Sequence, residues 1–198
     1  MPRLRILSQT YLFMILNHLN KKTMKTFTKF SFIALLLFSI NSFGQTDTTQ
    51  LIKDWQRAKA YTLEYLETMP ESGYALKPTP DMRSFAEQML HLTDGNYGLA
   101  SAALGQKNPI ERGASEKSTD KSKANTIKMV MAGYDFIIQG IKKMNPSQYG
   151  ENIKMFGDRE MTRLTALNKC FEHQTHHRGQ TTVYIRLAGT KPPQEKLF

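Results

Sequence analysis

The sequence predicts an all-α protein, a four-helix bundle that follows an N-terminal signal peptide. Beyond residue 45, apolar residues recur at intervals of three and four in four separate segments, which is the spacing of one helical face. Stretches with Pro and Gly interrupt this spacing and mark loops. Sustained alternation of apolar and polar residues is absent, and the short β-branched run Thr181–Val183 lies inside the fourth helical pattern. Helices packed against helices are therefore the simplest fold class.

A secretory signal is expected at the N-terminus, because Met24 begins a short basic segment and residues 30–43 are then almost wholly apolar. This apolar run is short against the roughly 20 residues that span a bilayer, which favours cleavage over a membrane anchor. Small residues precede Gln45, the expected first residue of the mature protein. Residues 1–23 are either an extension of the basic region of the signal or the result of a start codon assigned too far upstream.

Removal of residues 1–44 would change the charge balance. The full chain has 27 Lys and Arg residues, 17 Asp and Glu residues and a net charge of +10. Six of the basic residues and none of the acidic ones precede residue 45, so 21 basic and 17 acidic residues remain, a net charge of +4. Without a basic stripe or a recognised module, this charge argues against nucleic-acid binding. We expect residues 24–44 to be the signal peptide and residues 45–198 to form one domain, secreted or periplasmic and without a stable membrane span.

The first two helices are placed by their apolar faces and by the residues that flank them. The first runs from Asp47 to Met69. The second begins after Asp81 or Ser84, either of which can cap it, and ends at Gly105. Residues 106–121 are rich in Lys, Ser, Glu and Gly and are expected to form an exposed loop.

The last two helices follow the same reasoning. The third covers Ile127–Met144 and is stopped by Pro146. The fourth is predicted to begin at Asp158, a capping residue, and to run to Ala188, with Gly189 as its C-terminal stop. The loops that join the helices leave the handedness of the bundle open.

Four histidines lie beyond the signal region, at positions 91, 173, 176 and 177. His173 and His177 are four residues apart, so on a helix their side chains project from one face, one turn apart. His176 points away from that face by about 100°. His91, on the second helix, is the only other histidine of the mature chain and completes a set of three.

Three neutral imidazoles suit zinc, nickel, copper or ferrous iron, and they leave a coordination position for water or substrate, as in catalytic sites. Gln174 stands where the zinc-protease motif has its Glu, so that mechanism is excluded. In the alternative interpretation, His173 and His177 are surface or capping residues and His91 is a satisfied core histidine. Cys170, the only cysteine, cannot form an intramolecular disulfide and is either a small core residue or a neighbour of the metal.

Two segments resemble the DinB-like family. Residues 78–91, PTPDMRSFAEQMLH, are similar to the start of that family's second helix, where a Pro-rich loop, a Ser and a Leu-His pair recur. Residues 173–180, HQTHHRGQ, followed by Tyr184–Gly189 and Pro192, look like its fourth helix nearly residue for residue. The similarity extends in the expected order over Leu51–Pro193.

The resemblance implies a four-helix bundle that binds one divalent metal ion through His91, His173 and His177. Zinc and nickel are the metals that we expect. It does not concern the DNA polymerase of similar name. Relatives with an assigned activity include bacillithiol transferases and a mycothiol-dependent isomerase, in which the metal would activate a thiol. Residues 178–180 also match the family, and we interpret them first as helix-packing and salt-bridge residues.

The predicted function is that of an exported metal-dependent transferase or hydrolase that activates a thiol or water for attack on a small molecule. Export weakens an assignment to the cytosolic thiols. The alternatives are a non-enzymatic metal- or ligand-binding envelope or stress protein and an interaction bundle with a vestigial site, and a homodimer is compatible with each. His176, Tyr184 and Glu172 are the only acid–base candidates near the histidines, and none of them is convincing.

Overall fold

The described part of the chain, residues 47–198 of a computed structural model, consists mainly of four helices, and the prediction of an all-α four-helix bundle is confirmed. Residues 1–23, the predicted signal peptide at 24–44 and Gln45 lie outside the described residues. None of the described helices is long and apolar enough to cross a membrane. The helices are α1 Thr48–Thr68, α2 Phe85–Leu104, α3 Lys123–Lys143 and α4 Arg163–Leu187, with short 3₁₀ helices at Glu71–Gly73 and Pro146–Gly150.

Asp47 caps α1, and Ser84, one of the two predicted capping residues, caps α2. The Asp47 carboxylate accepts a backbone N–H of α1 at 2.9 Å. At α2, the Ser84 hydroxyl accepts from the N–H of Glu87 at 3.2 Å, and the Glu87 carboxylate accepts from the N–H of Ser84 at 2.8 Å. This reciprocal capping box selects Ser84 rather than Asp81 as the start, and it places His91 near the end of the second turn of α2.

The core lies among the four helices, and α2 packs mainly against α4 and α3. Trp55 of α1 is fully buried, with its ring 6.0 Å from that of Tyr134 on α3 and 5.1 Å from that of Phe171 on α4. Both pairs are edge-to-face contacts, which stabilise more than their buried area alone. Cys170 is also fully buried, as expected of a small core residue. This packing joins α1 to α3 and α4.

The fourth helix starts later than predicted, at Arg163 rather than Asp158. Asn152–Met155 and Arg159–Thr162 instead form an antiparallel hairpin, with its turn at residues 156–158. The hydroxyl of the last strand residue accepts a backbone N–H at 3.1 Å and caps α4. The prediction is wrong here because each strand has only 4 residues, too few for alternation to be distinguished from a helical pattern.

The loop at residues 106–121, predicted to be exposed, folds back onto α2. The two carboxylate oxygens of Asp94 accept from the backbone N–H groups of Ser115 and Glu116, each at 2.9 Å. Ser115 is only 1% exposed. The hydrophilic composition of the loop gives no sign of this anchor, so the prediction of exposure is wrong for these two residues. The anchor places Glu116 beside His91.

Candidate metal centre

The three predicted ligands come together between α2 and α4. His91 lies on α2, and His173 and His177 lie one turn apart on α4. One nitrogen from each ring lies within 4.8 Å of the other two. The ring centroids are 4.4 Å apart for His173 and His177, 4.6 Å for His91 and His177, and 5.6 Å for His91 and His173. This spacing suits three ligands of one ion, each about 2 Å from it.

Gly95 makes room for this arrangement. It lies on α2 one turn after His91, and the ring of His173 packs directly against its Cα side. A Cβ atom at this position would lie 2.1 Å from Cε1 and 2.5 Å from Nδ1 of His173. Only glycine therefore lets the imidazole of α4 approach α2 this closely.

Glu116 fixes the ring of His91. Its Oε2 lies 3.0 Å from Nδ1 of His91, and its Oε1 accepts from Nε of Arg83 at 2.7 Å. Burial opposes the ionisation of Glu116, but the two hydrogen bonds outweigh it and lower the pKa of this carboxyl. An ionised carboxylate can only accept, so Nδ1 of His91 carries the proton and donates it. The Nε2 atom of His91 is left with a free lone pair for a metal.

Side-chain amides fix the ring of His177. Nδ1 of His177, a residue only 9% exposed, lies 2.8 Å from the amide nitrogen of Gln88. Gln88 also hydrogen-bonds to Gln180, whose amide reaches Nε2 of His176 at 3.0 Å. His176 is exposed, as its position on the helix predicts, and it supports this chain of amides from outside the group of three converging nitrogens.

The environment keeps two of the three rings neutral. Burial, followed by the neighbouring histidines, lowers the pKa of His173 to about 4 and that of His177 to about 3. Neutral imidazole is the form that binds metals. Among the seven buried side-chain atoms of residues 47–198 without a hydrogen-bond partner, one is Nδ1 of His173. Such an atom costs stability unless a ligand satisfies it, so the donor set fits a divalent metal ion.

Other reactive side chains near the histidines are engaged elsewhere. The hydroxyl of Tyr184 donates to the backbone carbonyl of Arg83 at 2.9 Å. The exposed Glu172 pairs with Lys169 at 2.7 Å. Burial raises the pKa of the Cys170 thiol, which remains protonated in the core and is not part of the converging set. These residues gain no catalytic role from the geometry.

A cavity of about 730 Å³ opens beside the histidines, a size typical of small-molecule sites. His91 and His173 line it, together with Glu116, part of the loop after α2 and the hairpin before α4. Sequence reasoning missed Gly95 and Glu116. The only signal for Gly95 is its position one helical turn after His91, and nothing in the local sequence points to Glu116.

One protein family and several solved structures are similar to this chain. The sequence model of the DinB family matches residues 44–197. A DinB-like protein from Bacillus cereus is 20% identical with a TM-score of 0.63, and the match covers 77% of this chain and 99% of that one. The DinB-like protein YjoA from Bacillus subtilis is 21% identical with a TM-score of 0.57, over 75% of this chain and 96% of that one.

A third solved structure carries a functional description. YfiT from Bacillus subtilis, described as a probable metal-dependent hydrolase with an unusual four-helix bundle topology, is 15% identical with a TM-score of 0.58. The match covers 75% of this chain and 91% of YfiT. At such low identity these similarities establish the shared fold alone. No curated protein sequence is significantly similar to this chain.

Proposed function

The chain belongs to the DinB family, and from this premise we propose that it binds one divalent metal ion through His91, His173 and His177 and acts as a metal-dependent transferase or hydrolase on a small molecule. The observation that carries the proposal is the convergence of three imidazole nitrogens within 4.8 Å beside a cavity. The description of YfiT as a probable metal-dependent hydrolase supports the reaction class. Zinc and nickel are the expected metals, because neutral nitrogen donors suit both.

The residues around the cluster fit such an ion. The buried Nδ1 of His173 lacks a partner within the protein, and Gly95 leaves space for that ring. Glu116 accepts the Nδ1–H of His91, as is usual for the second nitrogen of a metal-binding histidine. The amide of Gln88 contacts Nδ1 of His177 and holds that ring in place. Three protein ligands leave a further coordination position, and the cavity gives a small molecule access to it.

A divalent ion bound here would lower the pKa of a thiol or water molecule and so supply a nucleophile at neutral pH. The chain's own residues hold the site ready for it. Burial keeps His173 and His177 unprotonated at pH 7. Arg83 holds Glu116 ionised, and Glu116 in turn keeps the proton of His91 on Nδ1.

Metal analysis of the protein purified without a histidine tag tests this proposal. Wild type is expected to bind about one equivalent of zinc or nickel and to melt at a higher temperature in its presence. His173→Ala and His177→Ala should lose both effects. His176→Ala is the matched control, because it removes an adjacent histidine of the same helix and should retain both. A wild-type protein without metal, and without a melting shift on adding zinc or nickel, would contradict the proposal.

A second candidate function is that of a non-enzymatic metal- or ligand-binding protein of the cell envelope. It is favoured by the engagement of Tyr184 and Glu172 away from the cavity. Metal-loaded protein should therefore be screened with thiols plus electrophiles and with esters. Turnover that His177→Ala abolishes would support the enzyme, whereas metal binding without turnover of any tested substrate would support the binding protein.

We also propose that the protein is secreted or periplasmic, on the basis of the signal-like segment at residues 24–44. Expression of the full chain in a bacterium, followed by fractionation and N-terminal sequencing, tests this. The expected product is extracytoplasmic and starts at Gln45. A cytoplasmic product with an intact N-terminus would contradict export. We propose that the partner of this protein is a small molecule rather than a nucleic acid.

A further inference from the structure

The cavity continues along α2 well beyond the histidines. On this helix it is lined from His91 through Gly95 and Gly98 to Ala102. At 1.5 Å per residue, this stretch of helix is about 16 Å long. A Cβ atom at Gly98 would meet no other atom within 4 Å, so the space above this part of α2 is open. The cavity therefore has room for a molecule much longer than a metal-binding group alone.

The lining of the cavity includes four large apolar side chains beside its polar and charged ones. Leu99 of α2, Ile110 of the following loop and Met155 and Phe156 of the hairpin line it. Met155 is 6% exposed and packs in the core, whereas Phe156 is 69% exposed. Packing within the described protein therefore accounts for Met155 but not for Phe156.

Phe156 is also held in an unfavourable backbone conformation. Its φ of 50° lies in the left-handed region, where glycine and asparagine are usual and bulky residues are rare. The neighbouring Gly157, at a φ of 88°, completes the turn of the hairpin. A large aromatic side chain that is strained and exposed, beside a cavity, is typical of a residue that contacts a ligand.

The charges around the cavity balance. Arg83 is paired with Glu116 at 2.7 Å, and Asp94 is bound by two backbone N–H groups. A lining with balanced charges has no net attraction for a polyanion. We therefore expect the apolar lining residues to contribute most to selectivity. The lining contains three basic and three acidic side chains, Arg83, Arg112, Lys154, Asp94, Glu111 and Glu116.

We infer that the cavity binds a small molecule with a polar end at the histidines and an uncharged apolar end against Leu99, Ile110 and Phe156, and that Phe156 is a specificity residue. This inference rests on the proposed metal site, since the metal would bind the polar end. It adds the class of substrate, an aromatic or aliphatic compound rather than a highly charged one.

Hydroxamic acids with different tails are suitable probes. The hydroxamate group binds zinc, and the affinity of the tail measures its contact with the apolar lining residues. Binding of acetohydroxamate, hexanohydroxamate and benzohydroxamate to zinc-loaded protein would be measured by calorimetry. Each added methylene is expected to improve affinity by up to about fourfold, and a phenyl group by about tenfold or more.

Phe156→Asn is the decisive variant, because asparagine tolerates the left-handed backbone and removes the ring. It should weaken benzohydroxamate binding by about fivefold or more and change acetohydroxamate binding by less than about twofold. Leu187→Gln is the control, since Leu187 is 57% exposed at the end of α4 and does not line the cavity. It should leave the whole series unchanged.

Metal content, measured on the same samples, separates two kinds of failure. Bound zinc with equal affinity for all three hydroxamates, or with equal losses in Phe156→Asn for short and long tails, would overturn the inference and leave the metal site intact. Absence of bound zinc would overturn the metal proposal. Binding against Leu99, Ile110 and Phe156 is then measured in the metal-free protein with acetamide and benzamide. A benzamide affinity that Phe156→Asn does not lower would overturn the inference there.

Discussion

Two pairs of polar residues lie side by side on α4 with the same spacing but opposite surroundings. His173 and His177 form one pair, and Gln174 and Arg178 form the other. Each pair spans one helical turn, and the two are offset by about 100° around the helix. The histidine pair lies against α2, with His173 lining the cavity, whereas the glutamine–arginine pair faces the core.

The glutamine–arginine pair finds hydrogen-bond partners inside the protein. Oε1 of Gln174 accepts from the hydroxyl of Tyr134 at 2.8 Å and from Nη1 of Arg178 at 3.1 Å. The same hydroxyl lies 2.7 Å from that of Thr62. The guanidinium carbon of Arg178 lies 4.5 Å from the centre of the Tyr61 ring, a cation–π contact. This network closes on itself and joins α1, α3 and α4.

The two pairs differ in how far their polar atoms find partners inside the protein. The packing role predicted for Arg178 agrees with its 5% exposure, but its partners are a tyrosine ring, an amide and a hydroxyl rather than the predicted salt bridge. His173, by contrast, keeps a buried nitrogen without a partner. Equal spacing on a helix therefore does not separate the two pairs, whereas unmet hydrogen-bonding capacity beside a cavity does.

The largest expected effect comes from Gly95→Ala, which would break the convergence of the histidines. The added Cβ would lie 2.1 Å from Cε1 of His173, so that ring must move. Because one of three ligands is displaced, we expect metal affinity to fall by more than about a hundredfold, measured by competition with a chelator. Gly98→Ala is the matched control on the same helix, since it meets no atom within 4 Å. Similar metal affinity in the two variants would contradict the role of Gly95.

A smaller effect on the same pair is expected from Glu116→Gln. The uncharged amide can no longer hold the proton of His91 on Nδ1 as strongly, so metal affinity should fall by about tenfold to a hundredfold. Calorimetric titration with zinc measures this loss. Glu111→Gln, on the same loop and also lining the cavity, should bind zinc as wild type does. An unchanged affinity in Glu116→Gln would show that the contact with His91 does not support the metal.

The features of the fold and site differ in whether they could be predicted from the sequence. Helical spacing and capping residues such as Ser84 are local signals, so the four helices and the shared face of His173 and His177 could be predicted. Gly95 and Glu116 act through contacts between segments distant in the sequence. Their roles depend on how α2 meets α4 and how a hydrophilic loop returns to Asp94, and no local pattern encodes either.

The hairpin before α4 escaped prediction for a different physical reason. Its strands are too short for a clear alternation, and its turn needs positive φ at Phe156 as well as at Gly157. Phenylalanine is a poor predictor of that conformation. Phe156, which lines the cavity, is thus a residue whose local preference disagrees with the structure, as is common at functional sites.

On the structural pair, Tyr134→Phe should lower stability without affecting metal binding. The variant removes one hydroxyl that bonds to Thr62 and Gln174, while Arg178 continues to donate to Gln174. We expect the free energy of unfolding to fall by about 1 kcal/mol, measured by urea denaturation. Zinc affinity should equal that of wild type. A loss of zinc affinity comparable to that of Glu116→Gln would show that the two pairs are coupled and not independent.

The smallest effect is expected from pH, and only the histidine pair should produce it. The folded-state pKa values of about 4 for His173 and about 3 for His177 lie below the usual 6.5, with burial as the main cause. As pH falls below about 6.5, the unfolded chain therefore takes up protons that the folded, metal-free protein does not, and stability decreases. The contribution of the neutral His173 and His177 to stability is fully present above about pH 6.5. It is lost progressively as the pH falls towards their folded-state pKa values.

Between pH 7.5 and 6.5 the loss should stay below about 1 kcal/mol in urea denaturation of the metal-free protein. Replacing both histidines by glutamine should make the curve flatter in this range, because neither site then titrates. His176→Gln should leave the slope of wild type, since that exposed ring is outside the pair. A slope that persists in the double variant would place the titration elsewhere in the chain and remove the electrostatic distinction between the two pairs of α4.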